Sequence, residues 1–598
     1  MSRLSLYLCL LCLYNVYMYV AVVPNRNSPP AVLLRESFRQ EGKVHNRTIA
    51  NLSHWTPAKV DALRAVLKGS TAVGTSLPQA FDIVRSRPHG HVAAVLGTLH
   101  RLHLDRLFDK HADRHRDLVL AMIVARILEP ASKLATSRAL HPDTLSSTLG
   151  ELLHLDSLTE DELYQAMDWL LPQQARIEDA LAKRHLAEGA LVLYDLTSTY
   201  FEGRHCPLGK LGHSRDDKKG KLQIVFGLMT NAEGCPIAVE VYAGNTSDPK
   251  TVSDQVTKLR QRFGLQRVIL VGDRGMITSA RLRENLNPAS GIQWITALRA
   301  PAIKKLASDG VLQFSLFDNR DLAEITHPDF PGERLVACYN PLLAEERARK
   351  RPELLAATEK ELEKIAVATR RKKRPLRGKH NIGLRAGKVL NHYKMGKHFQ
   401  VQIEEDSFTY QRKQANIEKE KSLDGIYVIR TNVPAAMLST EQAVHNYKSL
   451  SGVERAFRSL KTVDLHVRPI HHHQPDRVRA HIFLCMLAYY VEWHMRKNLA
   501  PLLFDDEDKP AAEKRRASVV APAQRSTSAQ AKTHNKRTQD DLPVHSFQTL
   551  LSDLATIVSN RVQPKDASTP AFDIITTPTA LQQRALDLLQ VTIKPPSA

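Results

Sequence analysis

Three acids in this chain stand where acids can do chemistry. Asp195 closes the apolar run LVLY, Asp273 closes VILVG, and Glu454 lies in YKSLSGVERAFRSLK (447–461) among Arg455, Arg458 and Lys461. Two carboxylates at the ends of neighbouring strands, with a third from a helix laid across them, can hold hard divalent cations. Mg2+ takes a few carboxylate oxygens and leaves positions for water and phosphate. Two ions about 3.5 to 4 Å apart suit an in-line phosphoryl displacement, one at the attacking oxygen and one at the leaving oxygen. Taken singly, each acid has a plainer explanation: a strand-end Asp usually caps a turn, and a helical Glu is usually solvated or paired to a neighbouring cation. The combination carries the reading. Arg458 follows Glu454 at i+4 and Lys461 comes two turns on, so one helix face presents a carboxylate followed by cations.

The elements that must position these acids are legible around them. LVLY, KLQIVFGLMT and CPIAVEVYAG predict three strands with tight connections, the last two joined by the turn NAEG, in an antiparallel meander. GNTSDPKTVSDQVTKLRQRFG predicts an amphipathic helix capped by Ser247 or Asp248, with Pro249 in its first turn and Gly264 closing it. RVILVGDRG, TSARLREN and GIQWITALR add a buried strand, a short helix and a strand. The order βββαβαβ predicts an α/β core with a mixed sheet. From Arg299 to about Leu423 that regularity stops, which marks an insertion: β-like HPDFPGERLVACYN, a long charged helix over LLAEERARKRPELLAATEKELEKIAVATRRKKR, and strands over RGKHNIGLRAGKVLNHYKMGKHFQVQIEEDSFTYQ. DGIYVIRTN resumes the strands and STEQAVHNYKSLSGVERAFRSLK is helical. In DRVRAHIFLCMLAYYVEWHMRKNLAPLL, Arg477, Arg479, His481, Glu492 and Arg496 argue for a packed core helix rather than a membrane span.

The 598 residues carry a formal net charge of +21, which favours a polyanionic partner, of which nucleic acid is the commonest. Hydrophobic residues make up 43%, an ordinary globular value, so the chain is not mainly disordered. Its six cysteines are scattered, with no CxxC pair near a second ligand pair and with Cys9 and Cys12 alone at the N-terminus, which reads as reduced thiols and no zinc site. The N-terminal LSLYLCLLCLYNVYMYVAVV imitates a signal peptide or a membrane span, but tyrosines and Asn15 interrupt it and no clear cleavage site follows. A translation start at Met18 is the better reading. Beyond it, MYVAVVPNRNSPPAVLLRESFRQEGKVHNRTIANL reads as short strands and turns, and WTPAKVDALRAVLKG as a helix with Thr56 as N-cap and Pro57 first.

The pieces YDLTSTYFEG, GHSRDDKKGKLQIVFGL, IAVEVYAGNTSDPKT, VILVGDRGM, GIYVIRTN, VERAFRSLK and RPIHHHQPDRVRAHIFLCMLA, in this order, resemble the bacterial insertion-sequence transposases of the DDE type. MYVAVVPNRN, ARILEPASKLATSRAL and DELYQAMDWL resemble one branch of that superfamily, so the resemblance runs from Met18 to about Phe504. It implies an RNase H-like mixed sheet flanked by helices and interrupted by an insertion before the last acid. Asp195, Asp273 and Glu454 would be the catalytic, metal-binding triad, with two Mg2+ or Mn2+ ions. Tyr447, Glu454 and Lys461 match the family's Tyr-Arg-Glu-Lys signature, whose basic and aromatic members hold DNA phosphates; its arginine falls on Leu450, and Arg458 or Arg455 could stand in. The resemblance implies binding of terminal inverted repeats, hydrolysis that frees 3′-hydroxyls, and joining of those ends to target DNA by a homodimer in the bacterial cytoplasm, at the nucleoid when bound, with no membrane.

Other features are weaker. Tyr447 has nothing to activate it as a covalent nucleophile. His471 to His473 cannot all point at one ion from consecutive positions and read as a DNA-facing loop. Arg371, Lys372 and Lys373, in the densest basic run, suit backbone phosphates, and Arg274 beside Asp273 could touch DNA or pair with a core acid. The expected organisation is 1–17, an extension ahead of the true start; 18–188, a DNA-binding region of strands then helices; 189–299, the first part of the catalytic core; 300–423, the basic insertion; 424–504, the second part with the Glu-bearing helix; 505–544, a disordered linker; and 545–598, a C-terminal tail. A nuclease on the same fold that never joins ends, a catalytically inactive DNA-binding regulator, and a membrane-anchored protein starting at Met1 are the alternatives.

Overall fold

The computed structural model describes residues 17–595 apart from 27, 41–42, 69–80, 145, 217, 219, 287–290, 319 and 566–569, so the expected extension lies almost wholly outside the described residues. The chain forms two compact units, one of Met1–Arg87, Ser559–Thr576 and Pro595–Ala598, the other of Pro88–Val558 and Thr577–Lys594.

In the smaller unit, β1 (Tyr17–Val23), β2 (Ala31–Gln40) and β3 (Lys43–Asn51) form an antiparallel sheet, followed by α1 (Pro57–Leu67) behind its N-cap Thr56. Strand β4 (Phe81–Pro88) ends the segment. The larger unit opens with helices, including α2 (Gly90–Arg101), α3 (Arg114–Leu128), α4 (Glu160–Leu170) and α5 (Gln174–His185). Asp113 caps α3, and a capping box of Thr159 and Glu162 starts α4. The region 18–188 is therefore divided near residue 87 rather than continuous. Helices α2, α3 and α4 pack against a long helix of the same unit (Pro475–Leu499), and α5 packs on the strand Pro236–Ala243.

The larger unit is built on an eight-stranded mixed sheet. β5 (Leu191–Tyr200), β6 (Gln223–Asn231) and β7 (Pro236–Ala243) form the expected antiparallel meander. After α6 (Asp248–Thr257), β8 (Val268–Val271) pairs parallel with β5; after α7 (Ser279–Glu284), β9 (Ile292–Ala297) pairs parallel with β8. Nearly every residue of β6 is buried, as befits a strand covered on both faces. The α/β architecture, a mixed sheet flanked by helices, is as the resemblance implies. One boundary differs: β5 does not stop at Asp195 but runs five residues further, because LTSTY is rich in β-branched and aromatic residues and pairs with β6 up to Tyr200↔Gln223. Asp195 is a mid-strand residue.

The insertion is not one body. After α8 (Ala300–Ser308), β10 (Leu322–Ile325) and β11 (Arg334–Tyr339) extend the main sheet. Helices α9 (Pro341–Thr369) and α10 (Lys379–Tyr393) then pack with the hairpin of β12 (Phe399–Ile403) and β13 (Phe408–Arg412) around their own core, which includes Leu362, Ile382, Phe399 and Phe408. Residues 379–393 are a helix where strands were expected. Ile382, Ala386, Val389, Leu390 and Tyr393 recur at three- and four-residue intervals and all reach that core. β14 (Ile426–Thr431) pairs with β11 and β9 and closes the sheet order.

Helices α11 (Thr440–Lys448), α12 (Ser451–Arg458) and α13 (Pro475–Leu499) follow. α13 is buried on almost every side from Val478 to Val491, as a packed core helix. Among the described residues no helix is long and apolar enough to cross a membrane. The expected disordered linker folds: α14 (Lys509–Lys514) and α15 (Thr527–Asn535) lie within 505–544, and Val520, Ala529 and Lys532 are buried. Few apolar side chains suffice here because polar anchors replace them. Lys532 Nζ donates to the carbonyls of Ala500 (2.8 Å) and Asp505 (3.0 Å), and Ser526 Oγ to Asp506 Oδ1 (2.6 Å). Beyond, α16 (Phe547–Leu554) and α17 (Ala580–Leu589) return to the larger unit, while β15 (Val558–Pro564) and β16 (Phe572–Ile575) form a second small sheet with β4. The described residues of 545–598 are thus no free tail.

Candidate active site

Asp195, Asp273 and Glu454 line one cleft of about 650 Å3, together with Tyr447 and Leu450. Asp195 projects from the middle of β5. Asp273 follows β8 in a turn, where its Oδ2 accepts the Gly275 amide at 3.2 Å. Glu454 sits exposed in the first turn of α12. Burial pushes the Asp195 carboxyl up to about 7, and the charges of Asp273 and Glu454 push the same way while Arg215 opposes them. Half-buried Tyr447 has its phenol raised by burial first and by Asp273, Asp195 and Glu454 as well. The cleft therefore holds a surplus of negative charge on oxygen donors, and a hard divalent cation would relieve it; the residues fit such an ion.

The remaining expected residues are not all brought to the cleft. Among the described residues no ion pair joins Glu454 to Arg458, which is exposed, as are Arg455 and Arg274. Lys461 is buried and spoken for: its Nζ lies 2.8 Å from Asp216 Oδ1, and Arg468 holds Asp216 Oδ2, also at 2.8 Å. The single helix face expected for Glu454 and Lys461 is interrupted, because residues Ser459–Val463 form a π turn that shifts the register after α12. Arg371, Lys372 and Lys373 are exposed in the connection between α9 and α10 and do not line the cleft.

Two buried ionic clusters fix the helix that carries Glu454. One is the Lys461–Asp216–Arg468 set, which joins the π turn to the connection between β5 and β6. The other centres on Glu492 of α13, which accepts from Ser459 Oγ at 3.1 Å and from Arg496 at 2.6 Å; Arg496 also reaches Asp464 at 2.9 Å. Burial pushes the Glu492 carboxyl up to about 8.

Sequence reasoning missed several cleft residues: Arg215, Asp248, Asn340, Tyr427 and Lys448. Arg215 pairs with Asp248 at 2.6 Å, and its own amide donates to Ser198 Oγ on β5 at 2.9 Å. Both lie in stretches that carry the resemblance, GHSRDDKKGK and NTSDPKT, which was the available signal. Leu450, 8% exposed at the N-cap of α12, leaves the cleft without the expected arginine, and Arg215 supplies a guanidinium there instead. Lys448 Nζ donates to the carbonyls of Val519 and Val520, both at 2.7 Å, and burial lowers its pKa to about 8.

Comparison with known proteins identifies two domains in the chain. Residues 197–491 match the transposase DDE domain, a span that contains Asp273 and Glu454 and starts two residues past Asp195. Residues 20–76 match the N-terminal domain of IS1634 family transposases. No curated protein matches. Among solved structures, the cryo-EM structure of a piggyBac transposase synaptic complex with hairpin DNA is similar over 67% of this chain and 72% of that one, at 9% identity and a TM-score of 0.33, a likeness too slight to carry an argument. With a DDE transposase domain over its catalytic sheet and an insertion-sequence transposase domain before it, the chain belongs to the insertion-sequence DDE transposases.

Proposed function

We propose that this transposase binds the terminal inverted repeats of its element, cuts DNA there by hydrolysis and joins the freed 3′ ends to target DNA. The observation that carries the reading is the cleft shared by Asp195, Asp273 and Glu454, with the Asp195 carboxyl held up at about 7 among acid neighbours. Asp195, Asp273 and Glu454 would hold Mg2+ or Mn2+, as two ions. When bound, those ions supply Lewis-acid stabilisation of the attacking and leaving oxygens of an in-line displacement.

The chain's own residues do the rest. Mid-strand placement makes Asp195 a rigid reference, and the two buried clusters fix the helix that bears Glu454, so the three acids face one cleft before DNA arrives. Water attacks the phosphate at the element's end and a 3′-hydroxyl leaves; that hydroxyl then attacks a target phosphate, so one phosphodiester bond forms as another breaks. Tyr447 contacts a phosphate near the cut. Arg274, Arg455 and Arg458, exposed near the acids in sequence, and Arg371, Lys372 and Lys373, exposed on the insertion, meet DNA phosphates. Lys461 acts through Asp216 and positions α12. Because two element ends must be cut and joined together, the working form is a homodimer, acting in the bacterial cytoplasm.

The test is a labelled element end incubated with the protein and a target plasmid, in Mg2+ and in EDTA. Joined product in Mg2+ that is lost in Asp195→Ala, Asp273→Ala and Glu454→Ala is the expected result. Cleavage without joining would replace the transposase reading by the nuclease, and binding without cleavage by the inactive regulator.

A further inference from the structure

Away from the acid cleft, three side chains from distant parts of the larger unit converge: His185 at the end of α5, Cys235 in the turn between β6 and β7, and His494 on α13. Their ligand atoms all lie within 4.8 Å of one another. Cys235 Sγ is 3.9 Å from His185 Nε2 and 3.9 Å from His494 Nε2. Among the described residues this is the one set of three metal-ligating side chains so closely gathered. We propose that His185, Cys235 and His494 form a structural zinc site.

Convergence favours the assignment: two imidazole Nε2 atoms and a thiol sulfur, brought from three distant segments, face one point, where a single ion can take all three as ligands. With Zn–S about 2.3 Å and Zn–N about 2.0–2.1 Å, tetrahedral geometry sets S···N at about 3.5 Å and N···N at about 3.3 Å, so each S···N separation shortens by a few tenths of an ångström and the two Nε2 atoms, now within 4.8 Å, close on the ion. A thiolate with two imidazoles is a borderline-soft donor set suited to Zn2+, unlike the all-oxygen set of the acid cleft. On binding, the Cys235 S–H bond breaks, an S–Zn bond forms, and the proton leaves to solvent. Tyr490, whose hydroxyl lies 2.9 Å from His185 Nε2, gives up that hydrogen bond when the nitrogen takes the ion.

The surroundings are built to keep the ligands together. The Cys235 amide donates to Asn231 Oδ1 at 2.9 Å, which shapes the turn, and Gly234 at its tip has φ +85°. Glu233 of the same turn pairs at 2.7 Å with Lys497, one turn past His494 on α13. Gly234 also packs against Gly452, two residues before Glu454, so the ion would staple the turn on which the Glu-bearing helix rests. The ligands are 50 and 259 residues apart from Cys235, which is why cysteine spacing predicted no zinc.

The experiment uses the untagged full-length chain. After dialysis against a weak chelator, about one zinc per chain should remain, and cobalt substitution should give thiolate-to-cobalt charge-transfer absorption. Both should vanish in Cys235→Ser and His494→Ala yet persist in the double variant Asp195→Ala/Asp273→Ala, which separates this site from the acid cleft. Zinc should also shield Cys235 of the wild-type chain from alkylation, a readout that needs no variant to fold. Wild-type protein that retains no zinc, shows no cobalt–sulfur band and alkylates Cys235 equally with and without zinc would overturn the proposal, as would a band that survives in Cys235→Ser.

Discussion

Replacing Asp195 by asparagine should make the metal-free protein more stable while abolishing its chemistry. The carboxyl titrates at about 7 in the folded chain against a model-peptide value of 3.8. The folded pKa lies above the unfolded one, so the stabilising term is present at low pH and is lost as pH rises through about 4 to 7. A gap of about three pKa units corresponds to about 4 kcal/mol of penalty at pH 8, falling to under about 2 kcal/mol at pH 5. Asparagine is neutral throughout and escapes it. For a cooperative unit the size of Pro88–Val558, about 2.1 cal/mol/K per residue gives an unfolding entropy of about 1 kcal/mol/K, so the melting temperature in EDTA at pH 8 should rise by about 4 °C in Asp195→Asn. The advantage should shrink by more than half at pH 5. Adding millimolar Mg2+ or Mn2+ should raise the wild type and leave the variant nearly unchanged, since only the wild type gains a ligand. Equal melting temperatures of the two proteins in EDTA at pH 8 would refute the claim that the cleft concentrates uncompensated negative charge at Asp195.

Two further outcomes separate scaffold from DNA contact. Lys461→Ala should cost about 3–5 kcal/mol in denaturant unfolding, because it removes one of the two cations that neutralise a carboxylate only 4% exposed; a change under about 1 kcal/mol would mean that Arg468 alone suffices. Replacing Arg371, Lys372 and Lys373 together by alanine should leave stability unchanged but weaken DNA binding, with the slope of log affinity against log salt reduced by about 2 to 3 if all three neutralise phosphates, and an unchanged slope would place DNA elsewhere.

The catalytic sheet was readable because its signals are local. Apolar strand runs, the NAEG turn, the Ser247–Pro249 helix start and the order βββαβαβ each depend on neighbours in sequence, and the two aspartates were found at the ends of such runs. What the sequence hid depends on partners far along the chain. Lys461 looks like a free phosphate ligand until Asp216, 245 residues away, is seen to hold it. Arg215 and Asp248 carry no spacing signal of their own. Residues 505–544 have the composition of a linker, and their order comes from polar bonds within the segment, such as Ser526 to Asp506, and to other elements, as Lys532 to Ala500 and Lys448 to Val519. The helix 379–393 is hidden for a different cause: its lysines, asparagines and glycines obscure a three-to-four residue apolar rhythm that only a dedicated core makes plain.

The clamp of Lys448 on Val519 and Val520 bears on how the protein can be trimmed. Recognisable motifs end near Phe504 and the DDE domain match ends at residue 491, so a fragment designed on similarity alone would stop before the two carbonyls that seat a cleft-lining lysine. Such a fragment would keep all three acids and still lose part of the wall beside them. The shortest version that preserves the cleft extends at least through Ala521, whose carbonyl also faces Lys448 at 3.4 Å.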